Sequence, residues 1–179
     1  SSAEKMRINA AGNVGIGTSS PNRNLHVSGG AGDVAFGITN AATGTAASDG
    51  FSITVENPTP DVAIRQRENN DMKFLTNNTE RMRIDSSGNV GIGVTPQANW
   101  HSNYDAVAIG EQAVLFAHAD GIGNDSATYL GTNVYENSGA KYLRTDKSSL
   151  YRQQSGKHDF YVAPSGTADA AISWTTAMT

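Results

Sequence analysis

Five carboxylates in the second half of the chain, Asp120, Asp125, Glu136, Asp146 and Asp159, are of the type that cleaves a glycosidic bond when two of them flank it. Each also stands in a turn-like context, where acidic residues are expected on backbone grounds alone. The run from Asp120 to Asp125 has the look of a calcium loop but lacks the ligand periodicity and closing glutamate of an EF-hand. His26, His101, His118 and His158 are far apart and include no His-x-His pair, so metal ligation would need convergence from separate strands or symmetry-related subunits. There is no cysteine, which removes thiol nucleophiles, disulfides and thiolate metal sites. Gly88-Asn89-Val90-Gly91-Ile92-Gly93 superficially resembles a phosphate loop, yet neither the lysine nor the following helix is present. No catalytic residue, metal ligand or cofactor is assigned, and the chain reads as a non-enzyme. The cluster best suited to binding is Trp100-His101-Ser102-Asn103-Tyr104, whose rings and amides suit stacking on a sugar and hydrogen bonding to its hydroxyls. The same aromatics could instead anchor the junction after Pro96.

Positioning these groups falls to a repeated stretch. Glu80-Arg81-Met82-Arg83-Ile84-Asp85-Ser86-Ser87-Gly88-Asn89-Val90-Gly91-Ile92-Gly93 matches Glu4-Lys5-Met6-Arg7-Ile8-Asn9-Ala10-Ala11-Gly12-Asn13-Val14-Gly15-Ile16-Gly17 at ten of fourteen positions, 76 residues apart. A chain that repeats itself is modular. Met82 and Ile84 alternate with polar residues, as do Val90 and Ile92 with glycine, so each copy predicts a β-hairpin. The turn Asp85-Ser86-Ser87-Gly88-Asn89 has the composition of a type I turn closed by a left-handed glycine, with Gly12 in the equivalent place. Gly91 and Gly93, like Gly15 and Gly17, leave one face of the return strand bare and suit close approach of another backbone, which this reading places between chains.

The Arg-Met-Arg-Ile-Asp stretch leading into Gly-Asn-Val-Gly-Ile-Gly and a Thr-Pro or Ser-Pro end resembles the repeat of tail-fibre and related appendage proteins of bacteriophages. Ala163-Pro164-Ser165-Gly166-Thr167, continuing through Ile172-Ser173-Trp174 to Thr179, is similar to the lead-in to a further such repeat. The resemblance implies an elongated homotrimeric fibre segment, located in the virion after synthesis in the host cytoplasm. It implies a structural role in host adhesion, with a cell-surface receptor, carbohydrate among the candidates, and other tail proteins as partners. Two alternatives stay open: a tailspike-like polysaccharide depolymerase, and a bacterial or injection-system adhesin segment. In that family an intramolecular chaperone often follows such repeats, and no segment here resembles it.

Composition agrees with assembly. Valine, isoleucine, leucine, methionine and phenylalanine number 36 of 179 residues, a thin core for modules this small, and such modules commonly depend on metals, disulfides or oligomerisation. A formal charge of −4 gives no electrostatic footprint for nucleic acid. No window approaches eighteen consecutive apolar residues, so membrane insertion is not expected. The fold class is all-β, with short antiparallel strands forming a meander or small sandwich and at most a helical turn or two. Four segments follow: a hairpin repeat over 1–22, a small β module over 23–70, a second repeat over 71–96 and a C-terminal β module over 97–179. Strands are expected around Leu25, Phe36, Ile53, Ile64, Phe74, Val107, Leu115, Tyr129, Val134, Tyr142, Leu150 and Tyr161, with Ile172 and Trp174 closing the chain. Ala41–Gly50 reads as an exposed, mobile loop, Arg65-Gln66-Arg67-Glu68 as a solvated strand face, and the tyrosines between 129 and 161 as edge residues with wet hydroxyls.

Overall fold

Short runs of alternating apolar and polar residues, cut by glycine, asparagine and proline, favour strands over helices. The computed structural model describes residues 4–29, 31–118 and 127–178, and among them the fold is all-β with no helix. The chain divides into two compact units, Ser1–Asn69 and Asn70–Thr179.

The first unit holds two three-stranded sheets. One contains β1 (Met6–Ile8), β2 (Val14–Ile16) and β3 (Leu25–Val27); the other contains β4 (Val34–Ile38), β5 (Phe51–Val55) and β6 (Val62–Gln66). β4, β5 and β6 form an antiparallel meander. In the first sheet β1 pairs antiparallel with β2, but β2 pairs parallel with β3.

The second unit is built on a sheet of nine strands. In chain order the strands are β7 (Met72–Thr76), β8 (Thr79–Ile84), β9 (Val90–Ile92), β10 (Tyr104–Ile109), β11 (Ala113–His118), β12 (Ala127–Thr132), the short pair β13 (Tyr135–Glu136) and β14 (Ala140–Lys141), then β15 (Asp146–Gln154), β16 (Lys157–Gly166) and β17 (Thr175–Met178). β13 and β14 form a separate ribbon, and the remaining strands follow one another across the large sheet from β7 to β17. β9 and β10 are parallel, which repeats the geometry of β2 and β3. A purely antiparallel meander therefore does not describe the chain. After each hairpin a proline-containing loop carries the backbone back to its starting end, so the next strand runs in the same direction.

These parallel strands also cross the segment boundaries drawn from the sequence. Leu25–Val27, assigned to 23–70, pairs with the first hairpin, and Tyr104–Ile109, assigned to 97–179, pairs with the second.

One face of the nine-stranded sheet carries the core: Ala106, Ala108, Val114, Phe116 and Leu150, closed by Val134 from a loop. Val134, Tyr142, Leu143, Ile172 and Trp174, expected in strands, lie outside them, and all but Tyr142 pack into or against this core instead. Apolar spacing reports burial and does not separate a strand from a loop folded over one. Tyr135 and Tyr142, expected at wet edges, are 1% and 4% exposed. Each buried hydroxyl has a partner: Tyr135 donates to Asp169 Oδ1 at 2.8 Å and Tyr142 to the Pro164 carbonyl at 2.7 Å.

The opposite face is apolar and open. Strand register aligns Met72, Ile84, Val90, Val107, Leu115, Leu130, Tyr151, Phe160 and Met178 in one row across the sheet. Leu115, Leu130, Phe160 and Met178 in that row are exposed.

Candidate functional site

The two copies of the repeat fold alike, residue for residue, and their geometry begins at the turn. Asp85 Oδ1 accepts the backbone N–H of Ser87 and of Asn89, both at 2.9 Å; in the first copy Asn9 Oδ1 accepts from Ala11 and Asn13, both at 3.0 Å. An aspartate or asparagine at this place replaces backbone bonds that a tight turn cannot make. Gly88 and Gly12 follow at φ +91° and +82°, where a side chain would be strained. The asparagine after each glycine secures the third strand or its lead-in. Asn89 Oδ1 accepts from the Ala106 N–H at 3.2 Å, while Asn13 Nδ2 donates to the Pro21 carbonyl at 3.3 Å.

Gly91 and Gly15 do admit a close backbone, and it belongs to the same chain. A Cβ at Gly91 would overlap the Val94 carbonyl and stand 2.7 Å from Pro96 Cδ; at Gly15 it would stand 2.7 Å from the Thr18 carbonyl and 3.3 Å from Pro21. The bare strand face is thus the seat of the proline loop that returns the chain to the parallel strand. Gly93 and Gly17 begin that loop at φ +68° and +72°. Gly17 N–H and Gly93 N–H donate back to Lys5 and Arg81 at 2.9 Å.

Arg83 lies beside Gly91 in register. It donates to both oxygens of Glu80, at 2.6 and 2.7 Å, and to Asp71 Oδ2 at 2.7 Å. Arg7, the equivalent residue, pairs with Glu4 and also donates to the Ser19 carbonyl at 2.7 Å, tying the proline loop down. Hydrogen bonds from these arginines hold the Glu4 and Glu80 carboxyls below the ordinary glutamate range.

Trp100 and Tyr104 flank the second proline loop and turn inward. Trp100 is 5.0 Å from Phe116 and 6.2 Å from Tyr135; Tyr104 is 5.8 Å from Phe116 and 4.3 Å from His118, all between ring centroids. The His101 N–H donates to the Glu136 carbonyl at 2.8 Å. All three side chains are half-buried, so the loop presents partial ring edges to its surroundings while its packing anchors β10.

Asp120 and Asp125, with the whole calcium-like run, lie outside the described residues. Asp159 is buried and paired with Arg152 at 2.7 Å. Glu136 Oε1 accepts the Gly139 N–H at 2.8 Å, and burial raises its pKa. Asp146 Oδ1 accepts the Lys147 N–H at 2.7 Å. His118 and His158 line one open trough of about 410 Å³ together with Gln153 and Lys157. Among the described residues no three histidine or acidic side chains gather as a metal site would require. Arg65, read as solvated, pairs with Glu56, and Glu68 Oε1 accepts the Gly50 N–H at 2.8 Å.

The residues missed by sequence reasoning are apolar ones on the wrong side. In the first unit the buried described residues are Gly15, Pro21, Gly50, Ser52 and Thr54. On β5, Ser52 and Thr54 are 4% and 2% exposed, while Ile53 between them is 42% exposed. The alternation itself was legible, and which parity faces outward was not.

Fold and repeat together define a class: an all-β chain organised by proline-latched hairpins, with apolar sheet faces turned outward. No protein-family model, curated protein or solved structure matches the chain.

Proposed function

We propose that this chain is a structural segment of a bacteriophage tail fibre that assembles as a homotrimer and serves attachment to the host cell surface. The observation that carries the reading is the outward apolar parity. An antiparallel sheet ordinarily buries its apolar face and wets its polar one, whereas here β5 does the reverse. Apolar surface of this extent on a soluble protein marks an interaction site. The repeated hairpin then supplies the kind of assembly, because its residues resemble those of phage fibres, and the number three comes from that resemblance. In this reading the proline-latched repeats are rigid connectors, and contact with a host receptor belongs to outward surfaces of the assembled fibre. Sedimentation equilibrium should give three times the mass of the 18.8 kDa chain, and labelled protein should attach to susceptible bacteria without releasing sugar from their surface polysaccharide. A folded monomer at micromolar concentration would overturn assembly, and release of reducing ends would overturn attachment in favour of depolymerisation.

A further inference from the structure

The sheet β4–β5–β6 shows most directly what its partner must be. Register places Phe36 opposite Ile53 and Ile53 opposite Ile64; Val34, Val55 and Val62 form a second row on the same side. Phe36 is 59%, Ile53 42% and Ile64 57% exposed, and Ile38, Val55 and Val62 beside them are exposed as well. The opposite side carries Ala35, Gly37, Ser52, Thr54, Ala63 and Arg65, too small and polar to form a core. No large apolar side chain is buried among the described residues of the first unit. Without a partner this unit would lack the main driving force for folding.

Six half-exposed apolar side chains amount to on the order of 500 Å² of contiguous surface, at the upper end of what monomers expose. The other sheet of the same unit exposes Met6, Ile8, Ile16, Leu25 and Val27 as well, so neither sheet of the unit buries its large apolar side chains. Three features select the occupant. A partner needed for folding must be present wherever the chain is, which a second copy satisfies by construction. The face of β4–β6 carries no charged residue: Arg65 points to the other side, and Gln66 is the polar residue in its register. A face that meets its own copies about a rotation axis sets the side chains beside that axis near their own equivalents, where a charge would oppose itself. The apolar row is also centred on the middle strand, so such an axis can run beside β5.

We infer that the face bearing Phe36, Ile53 and Ile64 is covered by the same face of further copies of this chain, forming between chains the hydrophobic core that the unit lacks within one. The inference rests on the self-assembly proposed above and names the surface that performs it.

The chain has no cysteine, so single thiols report one position each. Ile53→Cys and, on the adjacent strand, Ile64→Cys are compared with Ala47→Cys on the exposed loop before β5, in full-length protein treated with a maleimide. In the assembled protein the two sheet positions should react about a hundredfold or more slowly than Ala47→Cys, because labelling there requires opening of the interface. Mild oxidation should link Ile53→Cys chains in pairs and leave Ala47→Cys unlinked. If the parent protein is monomeric, self-assembly and this inference fall together. If the parent is oligomeric while both sheet positions label as fast as Ala47→Cys, assembly stands and this face is not its contact. Slow labelling of both positions in a monomeric fraction would likewise overturn the inference, since the cover would then come from the chain itself.

Discussion

Pro96 lies against Gly91, with the proline Cδ 2.7 Å from where a side chain at Gly91 would begin. Pro21 closes over Gly15 in the first copy at 3.3 Å. The repeat is therefore a latch within one chain: a glycine-bared strand receives the proline loop, and the loop delivers the next strand in parallel.

Gly91→Ala should accordingly strain the latch, because the methyl group meets the Val94 carbonyl and Pro96 together. Overpacking of this kind typically costs about 1–3 kcal/mol. Gly15→Ala should cost less, its nearest neighbours being 2.7 and 3.3 Å away. Chemical denaturation of the two variants beside the parent measures both. An unchanged midpoint for Gly91→Ala would mean that the proline loop does not sit on the strand.

Gly88 tests a different cause at a site six residues along the same hairpin from Met82. Nothing lies within 4 Å of its missing side chain, and its φ is +91°. Gly88→Ala should cost roughly 1 kcal/mol through backbone strain, and Gly88→Asn should cost less because asparagine tolerates left-handed conformations. Equal losses for the two substitutions would remove backbone strain as the explanation.

Asn133 holds the loop that caps the core. It is fully buried at φ +58°, its amide donates to the carbonyls of Arg144 and Lys147 at 3.1 and 3.0 Å, and its oxygen accepts from the Arg144 N–H at 2.7 Å. Asn133→Ala removes three hydrogen bonds made by a fully buried side chain and should cost about 3 kcal/mol. Asn133→Asp should be at least as damaging, since a carboxylate would face two carbonyl oxygens. Stability within about half a kcal/mol of the parent for either variant would show that water replaces these bonds.

The pH dependence of stability should have a component at Asp159. A hydrogen bond from the Arg152 guanidinium holds its carboxyl below the ordinary aspartate value of 3.8. A group whose pKa is depressed by folding stabilises the fold above its unfolded value and loses that contribution as the pH falls through its folded value. The parent should therefore lose stability on acidification below about pH 4 more steeply than Asp159→Asn, which has nothing there to titrate. Melting temperatures measured down this range check it, and parallel acid limbs for parent and variant would refute it.

Much of this architecture is written in local chemistry. Gly12 and Gly88, preceded by Asn9 and Asp85, specify the turns, because a left-handed residue and a carbonyl-type acceptor at that spacing have few other uses. The alternation in Phe51–Val55 likewise specifies a strand with two unlike faces. Sequence alone could not say which way those faces turn. Ile53 looks outward and Thr54 inward because strand parity becomes inside or outside only when other elements cover one side, and among the described residues of the first unit no large apolar side chain is buried. The parallel course of Leu25–Val27 and Tyr104–Ile109 was hidden for a related reason: it depends on where Pro21 and Pro96 come to rest, a contact between residues whose own neighbours say only that a turn is present. Val134 and Tyr142 read as strand residues because burial, not hydrogen-bond pairing, set their composition. Local sequence determined the turns, the strands and the repeat, and tertiary packing decided which surfaces the chain keeps for itself and which it leaves open.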